Sequence, residues 1–319
     1  MATETAAHKP AAQPITVPAG SLDGFCCEQY KGIETDSGNY FKNYAFLGKG
    51  GSGIAYLVQA TSGAYRGGLF VLKGLHRTSD SARLKRFRQE RAFLKTLNHP
   101  NLLRLIDEGE YYGRPFIVQP YAPETLRQAL GGKALPFGTA LAFACQLLSA
   151  LQALHNQNVL HRDIKPENIF VNGAHVQLGD FGLMKRLDGA ADAADRGDFQ
   201  GYRAGAFYYR TPELAAYANG TGALDLRSDI FQLGLVLAEL FSGRNPLSKA
   251  ENFTDAISLN SVARINGRYA PRVVSAINGM LAINPGERAS IEKALDDFTG
   301  IFEQYAKDHH DLHGQFFLN

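Results

Sequence analysis

His161-Arg162-Asp163-Ile164-Lys165-Pro166-Glu167-Asn168 sets four chemically different groups on one short run of chain. Asp163 can accept a proton from a hydroxyl, and Lys165 can neutralise charge on a transferring phosphoryl group. Asn168 can hold a metal ion through its amide oxygen, and Arg162 can anchor a neighbouring segment. A solvated loop has no need of that combination at that spacing.

Outward from this run, further chemistry falls into place. After a strand-like interval, Leu178-Gly179-Asp180-Phe181-Gly182 adds a second carboxylate. Far upstream, Gly48-Lys49-Gly50-Gly51-Ser52-Gly53 lies between two strand-like runs. Glycines let a backbone approach phosphates closely and turn its N–H groups toward them. Taken alone, this pattern fits a hairpin or a dinucleotide fingerprint as well. The fingerprint requires a helix directly after the loop, whereas Ile54-Ala55-Tyr56-Leu57-Val58 reads as strand. Val71-Leu72-Lys73 closes a third apolar run, and Glu90 lies on a helical pattern that ends before His99-Pro100-Asn101. In isolation, such a Lys and Glu are more often surface charges than partners.

In order and spacing, these motifs resemble the eukaryotic-like (Hanks-type) Ser/Thr protein kinase family, from about residue 40 to about residue 303. The octapeptide resembles the catalytic loop H-R-D-x-K-x-x-N, and Asp180-Phe181-Gly182 resembles D-F-G. Thr211-Pro212-Glu213 resembles A-P-E, with Arg288 as its ion-pair partner. Ser228 to Gly234 resembles the helix start D-x-W-S-x-G, with Phe231 where Trp is common and Asp229 as a scaffold for the catalytic loop.

The resemblance implies an α+β, two-lobed kinase-like fold, with a small five-stranded N-lobe carrying helix C and a larger, mostly helical C-lobe. It implies ATP and Mg2+ as cofactors and Asp163, Lys165, Lys73 and Glu90 as catalytic residues, with Glu90 as the carboxylate partner that orients Lys73. Asn168 and Asp180 are the implied metal ligands. The nucleotide would be held by Leu47, Gly48, Gly50, Gly51, Ser52, Gly53, Ala55, Val71, Lys73 and Phe170. At the hinge, Gln119 would be the gatekeeper, with the Pro120 carbonyl and the Ala122 N–H facing the base. Proline keeps its carbonyl, so Pro120 does not remove the acceptor. Glu124 would reach the ribose hydroxyls, a role no better supported than that of a solvated loop glutamate.

Bulk properties agree with a two-part globular protein. The chain has 319 residues, 45% of them apolar and 20% charged, and a net charge of +2. That near-neutral balance implies no broad nucleic-acid or membrane-binding face. Cys26, Cys27 and Cys145 form no disulfide framework, which suits a reducing compartment. No uninterrupted apolar run of spanning length occurs, and MATETAAHKPAAQP lacks the apolar core of a secretory signal, so a cytoplasmic protein is expected.

Residues 1–38, rich in Ala, Thr, Pro and Gly, read as a flexible tail with a short ordered piece near Phe25. The kinase-like domain is expected over 39–306, divided into lobes 39–121 and 122–306, with a C-terminal tail over 307–319. Strands are expected at 44–47, 54–58, 69–72, 102–106 and 116–118, and a helix over 81–97. Beyond Tyr121, helices are expected at 137–156, 229–241, 252–260, 271–281 and 289–305. His309, His310 and His313 read as part of a frayed end rather than as metal ligands.

Three departures from the family pattern bear on activity. Ala55 stands where Val usually packs on adenine, and Ala206 stands where Ser/Thr kinases carry a Thr that bonds the catalytic Asp and Lys. From Asp180 to Arg210 there is no Ser or Thr; the phosphorylatable side chains are Tyr202, Tyr208 and Tyr209. One of Asp188, Asp192, Asp195 and Asp198 could take the place of a phosphate opposite Arg162, or these could form a solvated acidic loop. The expected activity is transfer of the γ-phosphate of ATP to Ser/Thr hydroxyls of protein substrates, with autophosphorylation. The alternatives are a pseudokinase-type nucleotide-binding scaffold and a small-molecule kinase. The latter class usually lacks the three C-lobe motifs present here.

Overall fold

A computed structural model describes residues 27–50, 53–75, 80–187, 206–248, 258–261 and 265–309. Along Gly53–Ala60, Ile54, Tyr56, Val58 and Ala60 are buried while Ala55, Leu57 and Gln59 are half-buried, the period-two alternation of a strand with one core face. It is β3 of a six-stranded sheet. The others are β1 (Gly32–Glu34), β2 (Tyr40–Gly50), β4 (Leu69–Gly74), β5 (Asp107–Tyr111) and β6 (Arg114–Pro120). All neighbours are antiparallel, in the order β1-β2-β3-β4-β6-β5. Ile33, Phe41, Val58, Leu72, Phe116 and Val118 fill its core. Between β4 and β5, α1 (Ser81–Leu94) starts at Asp80, whose side chain accepts from the Arg83 N–H. Glu90 is buried on this helix among Phe87, Phe93 and Leu94.

Two expectations are corrected in this half. Residues 27–38 are ordered against the sheet rather than part of a tail, and Gly32–Glu34 among them make it six-stranded. Cys27 and Ile33 enter the core, the Thr35 hydroxyl and the Asn39 amide donate to Asp107 Oδ2 at 2.7 and 2.8 Å, and the Asp36 N–H donates to the Glu108 carbonyl at 2.8 Å. A three-residue strand is too short to show a period, and its order comes from these distant partners. The strand expected at 102–106 lies instead at Asp107–Tyr111. Leu102 and Leu103 are buried against Leu178, with the Leu103 N–H donating to the Leu178 carbonyl at 2.8 Å. The charged DEGEY becomes a strand because β6 pairs with it.

The remainder is mainly helical: α2 (Leu126–Leu130), α3 (Phe137–His155), α4 (Leu214–Ala218), α5 (Leu226–Ser242), α6 (Ala270–Met280) and α7 (Ile291–Asp308). Short strands β7 (Glu124–Thr125), β8 (Val159–Leu160), β9 (Ile169–Asn172), β10 (His175–Leu178) and β11 (Lys185–Arg186) frame the loops between them. The length and apolarity of α3 would suit a bilayer, yet 12 of its 19 residues, among them Leu141, Leu148 and Leu151, are buried in the protein core. On α5, 14 of 17 residues are buried. Gly234 lets α6 approach: a Cβ there would lie 2.9 Å from Leu281 Cδ2 and 3.0 Å from Met280 Cβ.

The unanticipated α2 rests on a capping box between Thr125 and Gln128 and ends at left-handed Gly131. α7 runs past the expected domain limit at 306 because Asp308 accepts from Arg268 Nη1 at 2.6 Å and from the Tyr269 hydroxyl. His309 stacks on Tyr305 at its end, while His310 and His313 lie outside the described residues. Of the helix expected at 252–260, residues 258–260 are not helical, Leu259 bridging to Leu247, and the rest lie outside the described residues.

The Asp107 contacts give a direct check on the extra strand. Replacing Asp107 with Ala removes the carboxylate that accepts from the Thr35 hydroxyl, the Asn39 amide and the Glu108 N–H, and should cost about 1–3 kcal/mol. The denaturant midpoint should fall accordingly, whereas an ordinary surface aspartate would leave it almost unchanged.

Candidate active site

Three elements meet at one ammonium group. Lys73 Nζ, at the end of β4, is 2.9 Å from Glu90 Oε1 on α1 and 3.0 Å from Asp180 Oδ1. Burial disfavours the charge on Lys73, but the Asp180 and Glu90 carboxylates outweigh it and hold the ammonium well above its ordinary value. Burial lifts the Glu90 carboxyl, with Lys73 opposing. Asp180 takes a left-handed backbone, φ 59°. Gly179 before it donates to the Asn168 carbonyl at 2.9 Å, and its own carbonyl contacts His161 Nε2 at 3.0 Å. Phe181 is fully buried, edge-on to Phe93 of α1 with ring centroids 5.5 Å apart. The chain around Asp180 is thereby packed against the helix that carries Glu90.

On the loop after β8, Asp163 receives Lys165 Nζ at 2.8 Å on Oδ1 and 2.7 Å on Oδ2, and Asn168 Nδ2 at 2.8 Å on Oδ2. Burial pushes the Asp163 carboxyl above its ordinary value, and Lys165 pulls it down. The loop backbone is held from α5, where fully buried Asp229 accepts from the His161 N–H at 2.7 Å and the Arg162 N–H at 2.9 Å. Arg162 is itself left-handed, φ 68°. Such a conformation is uncommon for a non-glycine residue and persists only where surrounding contacts fix it. Its guanidinium donates to the Leu183 carbonyl at 2.5 Å and the Met184 carbonyl at 3.4 Å.

A cleft of about 380 Å³ opens between sheet and helices. The sheet side supplies Leu47, Gly48, Ala55, Val71 and Lys73; the helical side supplies Asn168, Phe170 and Asp180. Gln119, Pro120, Ala122 and Glu124 line the connection between the halves. Gln119 is buried, and its amide nitrogen has no hydrogen-bond partner. Gly50 and Gly53 pair at the tip of the β2–β3 hairpin rather than along the cleft wall. A Cβ on Gly53 would come within 2.6 Å of the Gly74 carbonyl oxygen. Gly51 and Ser52 lie outside the described residues, as do Asp188, Asp192, Asp195, Asp198 and Tyr202.

The donor set suits a hard cation. With the Asn168 nitrogen committed to Asp163, its amide oxygen remains as a ligand beside the Asp180 carboxylate. Among the described residues no group of three His, Cys, Asp or Glu side chains forms a closed metal cage. Mg2+ needs none, since it takes one or two protein oxygens and completes its shell with phosphate and water.

The network around Arg127 was not anticipated, although Glu167 and Tyr209 were singled out in other contexts. Arg127 of α2 donates to Glu167 Oε1 at 2.8 Å, to Glu239 Oε1 at 2.5 Å and to the Tyr209 hydroxyl at 2.7 Å. Tyr209 in turn donates to Glu239. Burial and the neighbouring Glu239 carboxylate keep the Tyr209 phenol protonated, well above its usual range. These residues are distant in sequence and individually ordinary; only the capping box before Arg127 hinted at a local element. Arg288 forms the expected pair with Glu213, at 2.8 Å to each carboxylate oxygen.

A six-stranded antiparallel sheet with one helix packed on it by a single face, a helical body and this cleft between them define the protein kinase fold. The family model described as protein kinase domain matches residues 41–298, and the chain belongs to that family. The serine/threonine-protein kinase pkn2 of Myxococcus xanthus is 32% identical over 207 residues, covering 63% of this chain and 24% of the relative. The serine/threonine-protein kinase pkn3 of the same bacterium is 31% identical over 269 residues, 79% of this chain and 48% of the relative. The serine/threonine-protein kinase RUNKEL of Arabidopsis thaliana is 33% identical over 215 residues, 66% of this chain and 15% of the relative. The chain thus spans less than half the length of these relatives.

Asp229 is the support whose removal should be most visible in stability. Asp229→Ala leaves two buried N–H donors unpaired, each worth about 1–3 kcal/mol. Calorimetry should show a lower Tm for Asp229→Ala than for Asp229→Asn, which keeps one acceptor oxygen.

Proposed function

We propose that this chain is a Ser/Thr protein kinase that transfers the γ-phosphate of ATP to hydroxyl groups of protein substrates, its own included. The observation that carries the reading is a pair of clusters facing one cleft: Asp163 bonded by Lys165 and Asn168, and Lys73 bonded by Glu90 and Asp180. Support comes also from relatives that are named serine/threonine-protein kinases.

In this reading Asp163 accepts the proton of the acceptor hydroxyl as its oxygen bonds to the γ-phosphorus, and ADP departs with the electrons of the broken P–O bond. Lys165 stabilises the charge shared by the transferring phosphoryl oxygens. Lys73, oriented by Glu90, binds the remaining phosphates. Gly48 and its strand allow backbone approach; Gln119, Pro120 and Ala122 border the base; Glu124 borders the ribose. Mg2+, held by Asp180 and Asn168, would neutralise phosphate charge. A cytoplasmic location belongs to the same proposal, and the free thiols of Cys27 and Cys145 are what support it.

A second reading, a nucleotide-binding scaffold with little transfer, is favoured by one observation. Ala55 leaves the sheet wall of the cleft with a methyl group in place of a larger side chain.

Incubation with γ-labelled Mg·ATP and a basic protein should label Ser and Thr, and Asp163→Asn should lose about 10²–10⁴-fold in rate. ATP binding without label in the wild type would turn the assignment to the scaffold. The pH profile provides a separate check. Asp163 acts only when ionised and burial raises its value, so activity should fall with acid at a pH above the ordinary aspartate range. Lys165 lowers that value, so Lys165→Met should move the acid limb of the residual activity upward; an unmoved or lowered limb would contradict the assignment of Asp163 as the base.

A further inference from the structure

One buried side chain of α5 remains outside the site already described. Gln232 is 3% exposed and uses its whole amide. Its Oε1 accepts from the Ile164 N–H at 3.0 Å, and its Nε2 donates to the Arg162 carbonyl at 3.2 Å and the Tyr209 carbonyl at 3.0 Å. The Arg162 carbonyl and the Ile164 N–H belong to the two peptide groups that flank Asp163. The third partner, Tyr209, ends the 3-10 turn Ala206–Tyr209, which follows the segment 188–205.

We propose that Gln232 is a positioning residue that couples the backbone of Asp163 to the Ala206–Tyr209 turn, so that Asp163 reaches its working geometry only while that turn is docked. The inference rests on the kinase reading for its catalytic consequence, though not for its structural one. An amide is suited to the task because it alone presents an acceptor and two N–H donors in a single plane. Asp229, one turn earlier on α5, holds the His161 and Arg162 N–H groups. As an acceptor only, its carboxylate cannot bond a carbonyl. Gln232 is therefore the side chain of α5 that bonds both the loop carrying Asp163 and the turn. Sideways motion of the turn would draw on the same amide that sets the Asp163 peptide planes. The neighbouring Ala206 has no hydroxyl with which to make a direct side-chain bond to the loop.

The test is Gln232→Met, similar in length and without hydrogen bonds, compared with the wild type in steady-state phosphotransfer and in hydrogen exchange. Gln232 does not line the nucleotide cleft, so KM for ATP should hold within about twofold. The value of kcat per folded molecule should drop about 10–100-fold, as expected when a reacting group is displaced by about an ångström. Amide protection should fall together at 161–164 and 206–210. An unchanged kcat per folded molecule would reduce Gln232 to a stabilising residue and overturn the proposal. So would a KM for ATP that rises in step with the loss of kcat, since that signals general disruption. If Gln232→Met does not fold, Gln232→Glu preserves the acceptor for the Ile164 N–H and is read by the same criteria. A wild type that transfers no phosphate refutes the kinase reading alone. Exchange that loosens at only one of the two segments in the variant refutes the coupling.

Discussion

The contact of Lys73 with two carboxylates is the constraint on which the rest of the site depends. It joins the end of a sheet strand, a helix buried on one face and a loop from the opposite half of the molecule. Taking three ionised groups out of water is unfavourable, and such clusters contribute little net stability. Their effect is on geometry: the ammonium bonds both carboxylates, and without it both would lose their counter-charge, so the three elements are held in register. Phe93 and Phe181 serve the same arrangement from the apolar side, since the ring after Asp180 packs against the helix of Glu90. Charge and packing thereby specify a single placement of α1.

A second constraint acts from below. α5 is apolar along most of its length and buried almost entirely, a rigid support with high helix-to-core contact. Of its buried polar groups, Ser228 donates to Glu213, while Asp229, Gln232 and Glu239 are spent on the loop of Asp163, the turn at Tyr209 and Arg127 of α2. Buried polar groups are stable only when bonded, so each of them fixes a partner as well as itself. The left-handed backbone of Arg162 is compatible with these bonds, because Asp229 takes its N–H and Gln232 its carbonyl. Strain in the loop is balanced by bonds from a helix buried along most of its length.

Much of this was legible from linear order. Motifs such as Asp163 to Asn168 or Asp180 to Gly182 are local: the residues that cooperate are within a few positions, so their spacing records their geometry. Long periodic segments, Phe137–His155 and Leu226–Ser242, were legible for the same reason, with ends displaced by no more than a few residues. Short elements with mixed composition were not. Gly32–Glu34 and Asp107–Tyr111 have almost no apolar period, and they are strands because other strands present hydrogen-bonding edges to them.

Local pattern alone thus settled the family, the two-part plan and the residue types available for chemistry, because backbone periodicity and motif spacing are properties of neighbours along the chain. The tertiary structure decided which further groups meet: that Lys73, beside its expected partner Glu90, also touches Asp180, that Asp107 gathers Thr35 and Asn39, and that Arg127 joins Glu167, Glu239 and Tyr209. Such contacts link residues far apart in sequence. Their energies depend on burial and orientation, which exist only once sheet and helices have packed.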